Sequence, residues 1–306
     1  MHRPNRLSPL TRFLGVFTAL VIVPFGTLPI RTNAATYYWD ADGSTLGNST
    51  SGAGLGGTGT WDTNILNQTW WDLTSLIPWP NLNTDLAVFG GTAGTVTLAS
   101  GLTANGLSFT SNGYKLTGGD LTLAGATPTI RVNMGETANI ESQIQGSAGL
   151  TKTGGGTLRL AAGNTYTGTT TISGGSVVIT NATALGSSSS TIMVTGFNPV
   201  PAATALRGYG GGSLVLDGTS AGVSISRNLS LQGQGPISDR GAALVSVGDN
   251  TLSGAVSMGV PYLGTGVPTR LTSATGMLTL SGSLDSDTVV AIGSTGSIVN
   301  VLGGAA

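Results

Sequence analysis

The sequence predicts an all-β protein, a parallel β-helix or solenoid with an aromatic-rich N-terminal cap. Short apolar alternations of period two recur along the chain, the mark of strands with one buried face. Gly, Asn and Ser corners separate them, and one stretch, Gly149 to Ile179, holds three such strands with their corners. Helices find no place, because no window of useful length carries apolar residues at helical spacing and the poor helix formers Gly, Thr and Ser recur every few positions.

The composition supports a folded chain. Of 306 residues, 50 are Gly and 12 are Pro, below the share that marks low-complexity disorder. Only 8% are charged while 39% are hydrophobic, which is enough apolar material for a core. A formal net charge of -1 gives no electrostatic reason to expect nucleic acid as a partner.

Residues 1–35 read as a secretory signal peptide. Arg3, Arg6 and Arg12 form a positive n-region, Phe13 to Phe25 an apolar h-region, and Thr32-Asn33-Ala34-Ala35 a small-residue cleavage site. The apolar run is shorter than the roughly 20 residues of a membrane span and is broken by Pro24. The single histidine, His2, leaves with the leader, and Cys is absent, so the mature chain has neither imidazole nor thiol. Ser-His-Asp triads, Cys-His pairs and His- or Cys-ligated zinc sites are thereby excluded. No disulfide framework is available either, although an exported chain reaches a compartment where one could form.

All five tryptophans, Trp39, Trp61, Trp70, Trp71 and Trp79, fall in residues 36–84, beside Tyr37 and Tyr38. This segment is expected to cap the solenoid, since a terminal coil must cover apolar core and strand edges. A stacking surface for sugar rings is the other use of such a cluster. From Asp85 to residue 306 the texture is repetitive: Val96 and Leu98 flank Thr97, Leu121 and Leu123 flank Thr122, and Leu158 and Leu160 flank Arg159. The pattern returns at Leu229 and Leu231, and at Leu278 and Leu280.

Within Gly149 to Ile179 the run Gly149-Leu150-Thr151-Lys152-Thr153-Gly154-Gly155-Gly156-Thr157-Leu158-Arg159-Leu160 precedes Asn164-Thr165-Tyr166-Thr167-Gly168 and a closing strand. One such unit cannot bury its apolar face, whereas stacked units can. Gly154, Gly163 and Gly168 are expected at corners of positive φ. The segment resembles the autotransporter-associated β-strand repeat, also called the passenger-associated transport repeat, with Lys152, Thr157, Leu158, Leu160, Asn164, Thr165, Tyr166, Thr167 and Gly168 at matching positions. Thr169 stands where a second Gly is common, and Ser176-Val177 replaces the usual Thr-Leu. A weaker echo runs through Asn250-Thr251-Leu252-Ser253-Gly254 and Gly276 to Gly282.

The resemblance implies a surface or secreted passenger, adhesin-like, whose β-helical stalk assists its own passage across the outer membrane, and it implies no active site. Lys152 and Arg159 read as outward residues that keep the stalk wet. Tyr166 reads as a corner aromatic packed on a neighbouring coil, and Asn164 as a side chain that bonds the backbone at a turn.

Other candidate sites are weak. Asp40-Ala41-Asp42-Gly43-Ser44 begins like a calcium loop, but its twelfth position is Ser51 instead of Glu. Asp285 and Asp287 flank Ser286 as a solvated turn would. Glu136 and Glu141, the two glutamates, are the carboxylates a carbohydrate-active enzyme on a β-helix would need first. No catalytic, cofactor-binding or metal residue is assigned. The leading expectation is an exported adhesin-like passenger that binds a glycan or cell-surface ligand; the alternative is the carbohydrate-active enzyme. No C-terminal barrel with aromatic girdles follows, so a separate outer-membrane transporter or a truncated passenger is expected.

Overall fold

A strand with one apolar face gains nothing from its own coil and must bury that face between the coils above and below. The computed structural model describes residues 34–187, 189–195, 211–239, 241–259, 269–286, 291–294 and 298–301, and in them the chain does this. Residues 1–33, most of the segment expected to be a leader, lie outside the described residues. Among those described, the helical structure is one 3-10 turn, Ile237–Asp239, and everything else regular is strand.

The strands fall on three faces that the chain visits in rotation. The first face is a 12-stranded sheet whose order runs from Leu284–Ser286 back to Leu86–Phe89 and Thr36–Trp39. The second is a 10-stranded sheet from Gly59–Trp61 to Ala291–Ser294. The third is split: Leu102–Ala104, Asp120–Leu123 and Gln143–Gln145 form one sheet, and Ser224–Ile225, Asn250–Leu252, Met277–Leu280 and Ile298–Val301 form another. Between coils every pairing is parallel; the antiparallel pairs are Thr36–Trp39 with Trp70–Trp71 and the latter with Leu76–Ile77, at the N-terminal end.

Register aligns like with like. On the second face one inward column runs Val96, Leu116, Ile140, Leu160, Ile179, Leu216. A second runs Tyr114, Ala138, Leu158, Val177, Leu214, Leu244, Leu271. All of these side chains are buried. Stacking at the ~4.8 Å strand spacing therefore closes the hydrogen-bond ladder and the core together. Leu158 and Leu160 face in and Arg159 faces out, as the alternation predicts.

The aromatic cluster ends this core. Trp70 lies 4.6 Å from Trp79, 4.9 Å from Trp61 and 5.3 Å from Trp39 between ring centres. Trp39, Trp61 and Trp70 are fully buried and Trp79 nearly so, which leaves them no face on which a sugar could stack. Trp39 Nε1 donates to Gly57 O at 2.9 Å and Trp79 Nε1 to Thr103 O at 3.0 Å, tying the cluster to the coils beside it. Phe89 and Phe109 then stack at 5.0 Å and carry the aromatic core one coil further.

Gly154 has a φ of 75°, the left-handed corner expected of it. Gly163 and Gly168 are glycines for a different reason, since neither has positive φ. A Cβ on Gly168 would collide with the backbone nitrogen of Gly149, and one on Gly163 would lie 2.7 Å from Thr183 Oγ1. Their role is close approach between adjacent coils.

Candidate functional site in the repeat coil

The segment singled out by sequence forms one full turn of the stack. Leu150–Thr153 lies on the first face, Thr157–Leu160 on the second, and Thr170–Ile172 starts the next coil above Leu150–Thr153. Three side chains, on the strand and the two corners, hold this turn.

Lys152 is the departure from expectation. It faces inward with 1% of its surface exposed, in the first-face column between Ile130 and Ile172. Alternation from the buried Leu150 put it there; the charge masked a signal that the period already carried. Its Nζ lies within hydrogen-bond reach of four backbone carbonyls, Thr153, Gly154 and Gly156 at 2.9 Å and Gly174 of the next coil at 3.0 Å, so the ammonium's three N–H groups are shared among four acceptors. The Gly154-Gly155-Gly156 corner thus wraps its carbonyls around an ammonium, and a chain without Cβ atoms there allows the wrap. Burial pushes the amine down from 10.5 to about 7. The lysine joins two coils through the interior and leaves the surface to others.

Asn164 behaves as predicted. It is buried, accepts from Ile144 N at 2.7 Å and donates to Ala184 O at 2.5 Å, bridging the coil below to the coil above where a strand is missing from the third face. Asn250, in the weaker echo, repeats the role: its Oδ1 accepts from Val223 N at 2.8 Å, and its Nδ2 reaches Ser246 Oγ at 2.8 Å. The echo is therefore structural, with Asn250–Leu252 and Met277–Leu280 paired in register on the third face. Tyr166 is buried at its corner and its hydroxyl bonds Thr170 Oγ1 at 2.9 Å; burial pushes that phenol up to about 12.

Arg159 stays on the outer side and pairs with Asp217 at 2.8 Å, and Lys115 pairs with Glu141 at 2.8 Å. Glu136 and Glu141 flank the strand Thr137–Ile140 at opposite ends, about 16 Å apart at the strand rise, and do not converge as a carboxylate pair. Asp40 is buried; it accepts from Asn48 Nδ2 at 2.6 Å and from Asp42 N at 3.4 Å, while Asp42 accepts from Ser44 N at 2.7 Å. Burial raises the Asp40 carboxyl, with Asp42 adding to it, so the loop uses its carboxylates on its own donors. Asp285 is exposed, and Asp287 lies outside the described residues.

This coil is also where the chain matches a known family. Residues 150–179 match the passenger-associated-transport-repeat family. The transport repeat thus begins at Leu150, takes in Lys152, the Gly corner, Asn164 and Tyr166, and ends with the strand at Ile179. The chain is also 38% identical over 165 residues to a protein described as adhesin BmaC autotransporter, from Brucella suis biovar 1 (strain 1330). The alignment takes in 52% of this chain and 4% of that adhesin, so the chain spans a small part of its relative's length. No solved structure matches. Sequence reasoning found the transport repeat and its outward and corner residues, and missed the inward lysine.

Proposed function

We propose that the chain is an exported, surface-displayed adhesin-like passenger, in which residues 36–84 cap a solenoid stalk and the transport repeat assists passage through the outer membrane. The observation that carries this reading is that the segment matching the transport repeat is one turn of a parallel stack that runs unbroken on two of its three faces. A rod of coils can emerge from a pore one turn at a time, each new turn adding to the folded one before it. The likeness to the Brucella adhesin supports the adhesive end of the reading. Its partners are then a linked or separate outer-membrane translocator and a glycan or host-surface ligand met by many weak contacts, whose linkage supplies avidity.

The test is display. Residues 36–306 fused to an outer-membrane translocator, in a host lacking its own adhesins, should be stained by antibody on intact cells and raise adherence to mammalian cell layers at least severalfold. Full surface display with adherence equal to the empty translocator would overturn the adhesive reading.

A further inference from the structure

The third face is interrupted, and the interruption is a groove. Ser224–Ile225 pairs with Asn250–Leu252 on one side only and has no strand on its other side among the described residues. The coil before it contributes the turn around Thr183 to Ser187 in place of a strand. The opening has a volume of about 430 Å³ and is lined by Thr183, Ser187, Ser224, Ser226, Arg227 and Asn228 among others, with no Asp or Glu among its described lining residues. Ser224 and Ser226 are exposed on either side of the inward Ile225.

Arg227 is the feature that gives the groove a chemistry. Its Nε and Nη2 donate to Ser190 O at 3.0 and 2.7 Å, and its Nη1 to Leu185 O at 2.5 Å, which fixes the guanidinium in the wall. These bonds use three of its five N–H groups and leave one on each terminal nitrogen. Neither ion pair found among the described residues involves it; those are Lys115 with Glu141 and Arg159 with Asp217. Among the described residues Arg227 is thus a fixed cation with two donors to spare and no acid beside it, and with a wall of hydroxyls and an amide it matches a ring that carries both a carboxylate and hydroxyls.

We propose that this groove binds an acidic saccharide, with a uronic carboxylate on Arg227 and the ring hydroxyls on Ser224, Ser226, Thr183 and Asn228. The assignment rests on the adhesive reading above and names its ligand class. An acidic peptide would satisfy Arg227 but would leave the hydroxyl wall largely unused. A neutral glycan would leave the guanidinium unmet.

Calorimetry on the mature chain with tetragalacturonate, its methyl ester, maltotetraose and succinate tests this. Tetragalacturonate should bind at least tenfold more tightly than the ester or maltotetraose, and succinate should not compete at equal concentration. Arg227→Gln should weaken binding at least tenfold. Because Arg227 also ties two segments of chain together, Ser226→Trp is the second variant: it fills the groove from an exposed position and should abolish binding with an unchanged melting temperature. Equal affinity for acid and ester, full competition by succinate, binding retained in Ser226→Trp, or no heat with any sugar would each overturn the proposal. If Ser226→Trp cells still adhere in the display assay, the adhesive reading stands and the groove is not its site.

Discussion

Leu158→Asp is expected to abolish cooperative folding of residues 36–306, or to lower their stability by at least about 5 kcal/mol. Leu158 is fully buried between Ala138 and Val177. Truncating a buried leucine costs about 2–5 kcal/mol, and an uncompensated buried charge adds about 3–5 kcal/mol. The matched outward change is Asn139→Asp, whose register partners are Lys115 below and Arg159 above. A new carboxylate between two cations should change stability by less than about 1 kcal/mol. Urea unfolding followed by circular dichroism distinguishes the two; similar losses from both positions would show that the inward and outward faces are misassigned.

The second large effect is expected at Lys152, and it depends on pH. The amine has an ordinary value of 10.5, which the unfolded chain keeps, and about 7 in the folded coil. Between these values the unfolded state holds the proton and the folded state has released it, so unfolding takes up a proton and stability rises with pH. The gain should begin near pH 7 and continue toward pH 10, amounting to a few kcal/mol. Tyr166, raised to about 12 in the fold, acts in the opposite sense only where unfolded tyrosines ionise, near pH 10 and above. Chemical denaturation between pH 7 and 9.5 therefore isolates the lysine. Lys152→Met should flatten the slope in this window, and it should lower stability by about 1–3 kcal/mol at the top of the window, where Gly154, Gly156 and Gly174 lose a donor. An unchanged slope in Lys152→Met would mean that the ammonium remains fully charged in its cradle of carbonyls. Lys152→Glu, which sets a carboxylate against the same four carbonyls, should prevent the coil from closing.

Much of this architecture was legible because strand periodicity reports burial directly. Leu158, Leu160 and Arg159 fell where alternation put them, Asn164 and Tyr166 took the corner roles their chemistry suits, and the tryptophans closed the end of the core. Lys152 was hidden by a rule that is usually sound, that a lysine stays wet, and the rule failed because a glycine corner supplies four carbonyls as a substitute for water. The groove was hidden for another reason. Coils differ in length, with Lys152 stacking under Ile172 after 20 residues but Ile192 under Leu229 after 37. Where the third face loses its strand depends on which coils carry turns instead, and Arg227 reaches Leu185 O across 42 residues of sequence. No local pattern encodes that meeting.

The claim that everything else rests on is the in-register parallel stack. Thr97 and Thr117 are outward residues of consecutive coils and direct register partners on the second face. Nitroxide labels at both positions should lie one strand spacing apart at the backbone, ~4.8 Å, and give a continuous-wave spectrum strongly broadened relative to the sum of the two single labels. A doubly labelled spectrum that superimposes on that sum would contradict the stack.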